Sequence, residues 1–564
     1  MLPSGSRRDI YANAPPDSGS YGCLCCLSDH PSSVTHNHRP QRHRRSQRAS
    51  YITPGLPNAG IAQGSIFVVF GSDLGPANIS FAPTAFQSTT LSNTSVSVTV
   101  AGTTVNALMY YTSAGQVAAL LPSNTPTGTG AITVAYNGQT SSPVPIAVVA
   151  NNLGIFTIGS NGEGPGIVTY PDYSLVSASL GANCGGPNTT CGAANPGDTL
   201  ILWATGLGPV SGNETSGAGL GQNMPNIPLT VWLGGVQAPV TYQGRSGCCI
   251  GEDQIVFKVP NNVPTGCAVP LLVQINNQIS NNTVMPVANG SRSCTPTDPV
   301  LASVNVEQAV TAGPVTVGAI HLSHFSDGGG TFEDDARAQF FKALTYTPGS
   351  QPFFVSYVDD QPFGTCLVYN NLNENETNPF TSDAALDAGS GITVTGPNGS
   401  VSLPENQGLS PIGAAGKFLV PGSYTVTGTG GADVGSFSAT FTIPALPTLV
   451  SPANNASVTR SGGMTATWTG GSGNVLIEVY SATDNTFTNG AAAVCTVPAS
   501  AGTFTVPPSV LLALPAGNFA GFVFSTATEA LFTATGLNVG IISVDRYNDA
   551  GFGYGWGSGS FTLK

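Results

Sequence analysis

The stretch GSIFVVFGSDLGP occupies residues 64–76, and GDTLILWATGLGP occupies residues 197–209, 133 residues later. Each opens on Gly, runs through apolar residues and closes on Leu-Gly-Pro. A short apolar run bounded by turn residues reads as a strand buried on both faces or nearly so. Gly tolerates positive φ and Pro removes a ladder donor, so the Leu-Gly-Pro ending stops the strand. No helix pattern follows, so these glycines do not cradle a phosphate at a helix N-terminus. The phrase is structural, and its repetition signals a duplicated domain.

The match continues in order. TTVNALMYY (103–111) resembles GVQAPVTYQ, with Val105 matching Val236 and Tyr111 matching Tyr242. GQVAALLPSNTPTGTG parallels DQIVFKVPNNVPTGCA, pairing Gln116 with Gln254 and Pro122 with Pro260. The offset grows between these blocks, which places an insertion in the second copy around GRSGCCIGED. Each copy alternates short strands with Gly, Pro and Asn turns, the pattern of a β-sandwich of about seven strands.

The ordered motifs LPSNTPTG, GIFT (154–157), ATGLGP and GRSGCC…DQI…VP…TGC resemble the Solibacter C-terminal type domain of secreted acidobacterial proteins. Each half is similar to the IPT/TIG class of immunoglobulin-like folds. The resemblance covers residues 52–297. It implies an extracellular module without an established activity, and it supplies no catalytic residue.

The whole chain reads as all-β, a tandem of immunoglobulin-like β-sandwich domains. Residues 1–51 form a basic leader read as disordered, the product of a misassigned start. Domain 1 spans 52–150, and domain 2 spans 151–297 with the insertion. The pattern then restarts as a β-sandwich at 298–445 and an immunoglobulin- or fibronectin-like sandwich at 446–564. PPSVLLAL is the one helical turn, entered by Pro.

Composition fits this plan. Only 8% of residues are charged, and Gly (71) and Pro (43) are abundant enough for many tight turns. Residues 1–50 carry seven of the 16 Lys and Arg, leaving an acidic body that repels phosphate backbones. Nucleic acid is therefore excluded as a partner. No stretch reaches the roughly 18 continuous apolar residues of a membrane span. The expected partner is a protein or a polysaccharide, and the expected location is extracellular or cell-surface.

Cysteines carry the strongest chemical signal. Cys184 and Cys191 flank a short polar loop and suit a bridge. Cys248, Cys249, Cys267 and Cys294 form a second group of disulfide candidates, with three possible pairings left open. Zinc is the rival, but paired CxxC motifs or nearby histidines are missing from the group. Cys366 and Cys495 are single in their domains and read as small buried residues.

His321 and His324 stand three apart on a strand, so they point to opposite faces and make no metal pair. Asp327, Glu333, Asp334 and Asp335 read as a solvated acidic loop, with calcium as the rival; the alternating ligand spacing of a calcium loop is missing. Trp203, Trp232 and Trp468 sit in strand patterns and read as core. Tyr554 and Trp556, in a Gly-rich stretch, are the candidates for a ligand surface. There is no GxSxG elbow and no HExxH, and nothing places Asp359, Asp360 and Glu333 across a cleft. The expectation is a non-enzyme without a cofactor, serving as an adhesive or spacer protein. A carbohydrate-binding accessory module is the alternative, and a degenerate hydrolase the weaker one.

Overall fold

The computed structural model describes residues 44–47, 49–83, 85–178, 192–216, 219–297, 315–326, 332–343, 361–370, 384–408, 410–413, 416–453, 456–484, 489–547 and 561–564. The described chain is all-β, a tandem of immunoglobulin-like sandwiches.

The two quoted stretches become equivalent strands, Ile66–Phe70 and Thr199–Thr205. In the first sandwich, Ile66–Phe70 is followed across the sheet by Gln116–Leu120, Leu108–Thr112 and Ser80–Phe81. In the second, Thr199–Thr205 is followed by Asp253–Lys258, Val240–Arg245 and Gln222–Asn223. The facing sheets match as well: Gly128–Tyr136 lies between Val144–Val149 and Thr94–Val100, as Gly266–Ile275 lies between Thr283–Val287 and Leu229–Leu233. Strand order thus repeats where sequence order repeats. Both apolar runs are buried on both faces: Val68 is 0% exposed and Ile201 is 8% exposed. After the second run the chain turns on Gly206 and Gly208, at φ 101° and 145°. At φ 145° Gly208 holds a conformation that residues with a Cβ rarely adopt, and a Cβ there would also crowd the Asn151 side-chain nitrogen at 2.8 Å, so the turn favours glycine.

Beyond residue 297 the structure departs from two successive sandwiches. Val315–Ser326 and Phe332–Ala343 join the same eleven-stranded sheet as Asn474–Ala482, Gly490–Pro498, Gly517–Phe532 and Val539–Tyr547. Thr365–Asn370 lies at the far end of that sheet, beside Gly490–Pro498. A boundary at 445/446 therefore cuts through a shared sheet. The physical reason is the parallel pairing of Val317 with Val539, a long-range match that local strand patterns do not encode.

One face of this sheet is covered at both ends. A four-stranded sheet (Gly399–Leu403, Ile392–Gly396, Gly422–Gly428, Phe437–Ile443) packs around Ile320, Leu322, Phe340, Ile542 and Val544. A three-stranded sheet (Thr448–Ser451, Met464–Thr469, Thr503–Val506) packs around Val475, Ile477, Val479, Phe522 and Phe524. The predicted helical turn is present at Pro508–Leu511, entered by Pro and buried in the second of these cores. Trp203 and Trp468 are buried and Trp232 is partly buried, as strand positions require.

The end of the leader belongs to the fold. Arg44–Gln47 pairs antiparallel with Ile66–Phe70, and Ala49 and Ser50 are buried. The reading of 1–51 as disordered is thus corrected for 44–47 and 49–51. An unpaired edge on Ile66–Phe70 would leave backbone donors and acceptors without partners, and this segment supplies them.

Candidate functional site

The opposite face of the eleven-stranded sheet brings together residues that are far apart in sequence. On this face His321 is in register with Arg337 on one side and Ser543 on the other, and Ser543 is in register with Glu529. One step along, Asp335, Ser323, Asp545 and Ala527 form the next row. Glu478 and Tyr480 continue the face on the strand beyond Gly517–Phe532, opposite Val523 and Gly521. A Cβ on Gly521 would fall 2.1 Å from Tyr480 Cζ, so glycine is what lets the ring lie across that strand. At its edge, Leu367 and Tyr369 pack against Ala268 and Val284 of the second sandwich.

His321 Nδ1 lies 3.0 Å from Ser543 Oγ and 3.9 Å from Asp545 Oδ2. Burial, reinforced by Arg337, holds the imidazole down to about 4, so it is neutral at physiological pH. Burial pushes Asp545 up to about 6 and Glu478 up to about 7. Yet 38% of the Asp545 side chain is reached by solvent. Ser543 and Asp545 both approach the same imidazole nitrogen, whereas a relay needs the nucleophile on one nitrogen and the carboxylate on the other. The cluster offers a neutral imidazole, a serine hydroxyl and carboxyl groups as donors and acceptors, without the geometry of an acyl-transfer triad.

His324 faces the opposite way, as its spacing from His321 predicts. Its Nδ1 meets Asp334 Oδ1 at 2.7 Å, with both side chains buried. Asp334 Oδ2 also accepts from the backbone N–H groups of Phe418 and Leu419, at 2.6 and 3.2 Å. The pair clamps the chain before the Gly422–Gly428 strand onto the large sheet. Glu333, Asp334 and Asp335 are therefore strand residues on alternating faces rather than members of a solvated acidic loop. Asp327, Asp359 and Asp360 lie outside the described residues, as do Tyr554, Trp556, Cys184 and Cys191.

The cysteines divide in two ways. Cys267 and Cys294 are bridged, and Cys366 is bridged to Cys495 across paired strands. The reading of Cys366 and Cys495 as single buried residues is corrected: the shared sheet brings two segments assigned to different domains side by side. Cys248 and Cys249 are both thiols in this structure, so of the pairings left open only Cys267–Cys294 is formed, and the expectation that all four are bridged is corrected. They occupy the turn between Val240–Arg245 and Asp253–Lys258, with Cys249 buried and Cys248 exposed. Among the described residues no group of three or more metal-ligating side chains occurs, and no helix is long and apolar enough to cross a membrane.

Glu478, Glu529, Ser543 and Asp545 were not legible as a site in the sequence. Alternation in NVLIEVYSA puts Glu478 and Tyr480 on the face opposite Val475, Ile477 and Val479. Nothing local says that Ser543 lies beside His321.

No family model matches the chain, and no curated protein does. Among solved structures it is similar to SGBP-B of the Bacteroides ovatus mixed-linkage glucan utilization locus, solved with a mixed-linkage heptasaccharide. That match has 9% identity and a TM-score of 0.18, and it covers 42% of this chain and 46% of that one, under half its length. Domains 5–6 of the S-layer protein SbsC match at 12% identity, covering 45% of this chain and all of that one, with a TM-score of 0.16. Immunoglobulin domains 1–5 of Sidekick-1 match at 11% identity, covering 92% of this chain and 99% of that one, with a TM-score of 0.11. These likenesses concern the all-β tandem architecture and carry nothing about a ligand.

Proposed function

We propose that the chain is an extracellular or cell-surface, non-catalytic multidomain protein, a rigid spacer that holds a binding surface for a protein or polysaccharide partner. The observation that carries this reading is the way residues 49–62 are locked among the sandwiches. Asn58 donates to Ile279 O at 2.6 Å, Asn152 donates to Asn58 O at 2.6 Å and to Gly60 O at 2.5 Å, and Asn281 donates to Gly162 O and Ala49 O at 2.8 and 3.5 Å. Ile52 and Leu56 join Leu272 and Ile279 of the second sandwich in the core of the C-terminal body. Buried linkers with satisfied backbone groups hold domains in fixed relation, unlike exposed linkers that let them swing. The two disulfides support an oxidising compartment.

Small-angle scattering tests the spacer. The full chain should scatter as one body of fixed dimensions, and Asn152→Ala together with Asn281→Ala should broaden its distance distribution. A profile of independently moving domains in the parent chain would overturn the reading.

A polysaccharide partner is favoured by Tyr173. It is 46% exposed, sits at φ +66°, and lies with its ring centroid 6.2 Å from that of the buried Trp203. A bulky residue in left-handed conformation is uncommon and costs roughly 1–3 kcal/mol. Here the turn is held by Asp172, which accepts from Ser174 N and Oγ at 3.0 and 2.6 Å. An aromatic face held rigidly in solvent suits stacking on a sugar ring. Tyr173→Ala should lower retention on the bound glycan class at least tenfold, and unchanged retention would remove this site from the reading.

A further inference from the structure

The turn that joins Val240–Arg245 to Asp253–Lys258 holds two adjacent thiols in a chain whose Cys267–Cys294 and Cys366–Cys495 pairs are already bridged. We propose that Cys248 and Cys249 form a redox modification site, entered through the exposed Cys248, that closes reversibly to a vicinal disulfide by exchange with a small-molecule disulfide.

Several observations converge on the pair. The two thiols hydrogen-bond each other, and Cys248 Sγ also lies 3.0 Å from Ser246 Oγ. Ser246 Oγ accepts from Cys248 N at 3.2 Å, which fixes the exposed thiol over the turn. The partner thiol of Cys249 is buried, so a reagent from solvent meets Cys248 first. The hydrogen bond from Cys249, then burial, pushes the Cys248 thiol up, and the Glu252 charge acts in the same direction. The pair is thus protonated at neutral pH, and exchange runs through the small thiolate fraction, faster as pH rises.

The chemistry balances. The Cys248 thiolate attacks one sulfur of RSSR, forming a mixed disulfide and expelling RS⁻, which takes up the proton that Cys248 lost. The Cys249 thiolate then attacks the Cys248 sulfur, forming the Cys248–Cys249 bond and expelling a second RS⁻, protonated in turn. Two protein thiols are oxidised and one disulfide is reduced to two RSH. Adjacent Cα atoms stand about 3.8 Å apart, closer than the roughly 4.4–6.8 Å of ordinary bridges. Strained and exposed bridges are the more readily reduced ones. This bridge therefore opens under conditions that leave Cys267–Cys294, with Cα atoms 5.2 Å apart, closed, which makes it reversible.

Its position gives it a consequence. Gly251, in the same turn, accepts from Thr205 Oγ1 at 2.7 Å, and Thr205 Oγ1 accepts from Ile66 N of the first sandwich at 3.0 Å. A Cβ on Gly251 would lie 2.6 Å from Leu120 Cδ1 and 2.8 Å from Ile66 Cγ1, so the turn presses directly on the first sandwich. Closing a ring around the Cys248–Cys249 peptide acts on the joint between the duplicated domains.

The test uses the full chain incubated with oxidised glutathione and digested with trypsin. The peptide Ser246–Lys258, SGCCIGEDQIVFK, contains only these two cysteines. It should lose two hydrogens, and should regain them at a reductant concentration at least tenfold below that which opens Cys267–Cys294. Cys249→Ser should accumulate at least tenfold more glutathione on this peptide than Cys248→Ser. Amide exchange at Ile66 should change at least threefold on oxidation. A wild-type peptide that keeps its thiols, or that carries two stable glutathione adducts, overturns the site whether or not the variants fold. Equal labelling of the two variants overturns entry through Cys248, and unchanged exchange at Ile66 in fully oxidised protein overturns coupling to the joint.

Discussion

Cys366 and Cys495 stand directly opposite each other on antiparallel strands, with Cα atoms 4.0 Å apart and a separation of 129 positions along the chain. The bond staples the edge strand Thr365–Asn370 to the large sheet. On the chain-entropy account a loop of this length contributes about 4–5 kcal/mol by restricting the unfolded chain. Cys366→Ala with Cys495→Ala should lower the stability of the C-terminal body by an amount of that order in denaturant unfolding. A midpoint shared with the parent would mean that the bond restricts nothing.

Arg245 and Asp253 form a buried ion pair, at 2.7 Å with both side chains almost wholly buried. Asp253 also accepts from Leu207 N at 2.7 Å, and Arg245 donates to Gly208 O at 2.9 Å. Removing one partner strands a buried charge, at a cost of about 3–5 kcal/mol. Arg245→Met should therefore destabilise the second sandwich by several kcal/mol, measured by thermal unfolding. Arg245→Met combined with Asp253→Leu should recover most of that loss, because no charge is left unpaired.

Glu478 gives the molecule a pH dependence with a defined sign. Burial raises its carboxyl from 4.5 to about 7 in the folded chain. The folded state therefore prefers the protonated form, so the associated stability is present below 4.5 and is lost as pH rises through about 7. Asp545, raised to about 6, acts in the same direction. His321, lowered to about 4, acts in the opposite one: its stability is present above 6.5 and lost as pH falls through about 4. Glu478→Gln should raise the melting temperature at pH 8 and leave it unchanged at pH 4. Equal melting curves at pH 8 would show that this carboxyl is not desolvated.

Val68 and Ile201 test the duplication itself. Both are buried at equivalent positions of the repeated strands. Either Val68→Asp or Ile201→Asp places an unpaired charge in an apolar interior, which costs several kcal/mol or forces the carboxyl neutral. Calorimetry should show the affected sandwich lost while a transition from the C-terminal body persists. Parent-like melting of either variant would show that its strand is not buried.

What the sequence reveals is local. The apolar runs at 66–70 and 199–205, their glycine endings and their shared order predict two sandwiches with the same strand arrangement, and His321 and His324 part to opposite faces as a two-residue period requires. Partner choice is not local. Val315–Ser326 reads as a strand from its own residues, but its parallel alignment with Val539–Tyr547 depends on chain folded hundreds of positions away. The same distance hides the Cys366–Cys495 bond and the neighbourhood of His321, Ser543 and Asp545. The insertion in the second repeat is visible as a change of offset, whereas its contact with Ile66 and Leu120 is not.

Thr316 and Asn538 exchange hydrogen bonds across 222 residues, at the start of the parallel pair that closes the large sheet. A ribosome delivers Thr316 long before Asn538 exists, so this half of the molecule cannot complete its sheet cotranslationally until the last strands emerge. Such non-local pairing makes folding slow, because the loop must close before its contacts compensate. The Cys366–Cys495 bond inherits the same delay, because it joins strands that pair only after residue 495 has been made. The price is a period in which long, half-paired strands are open to sticking together.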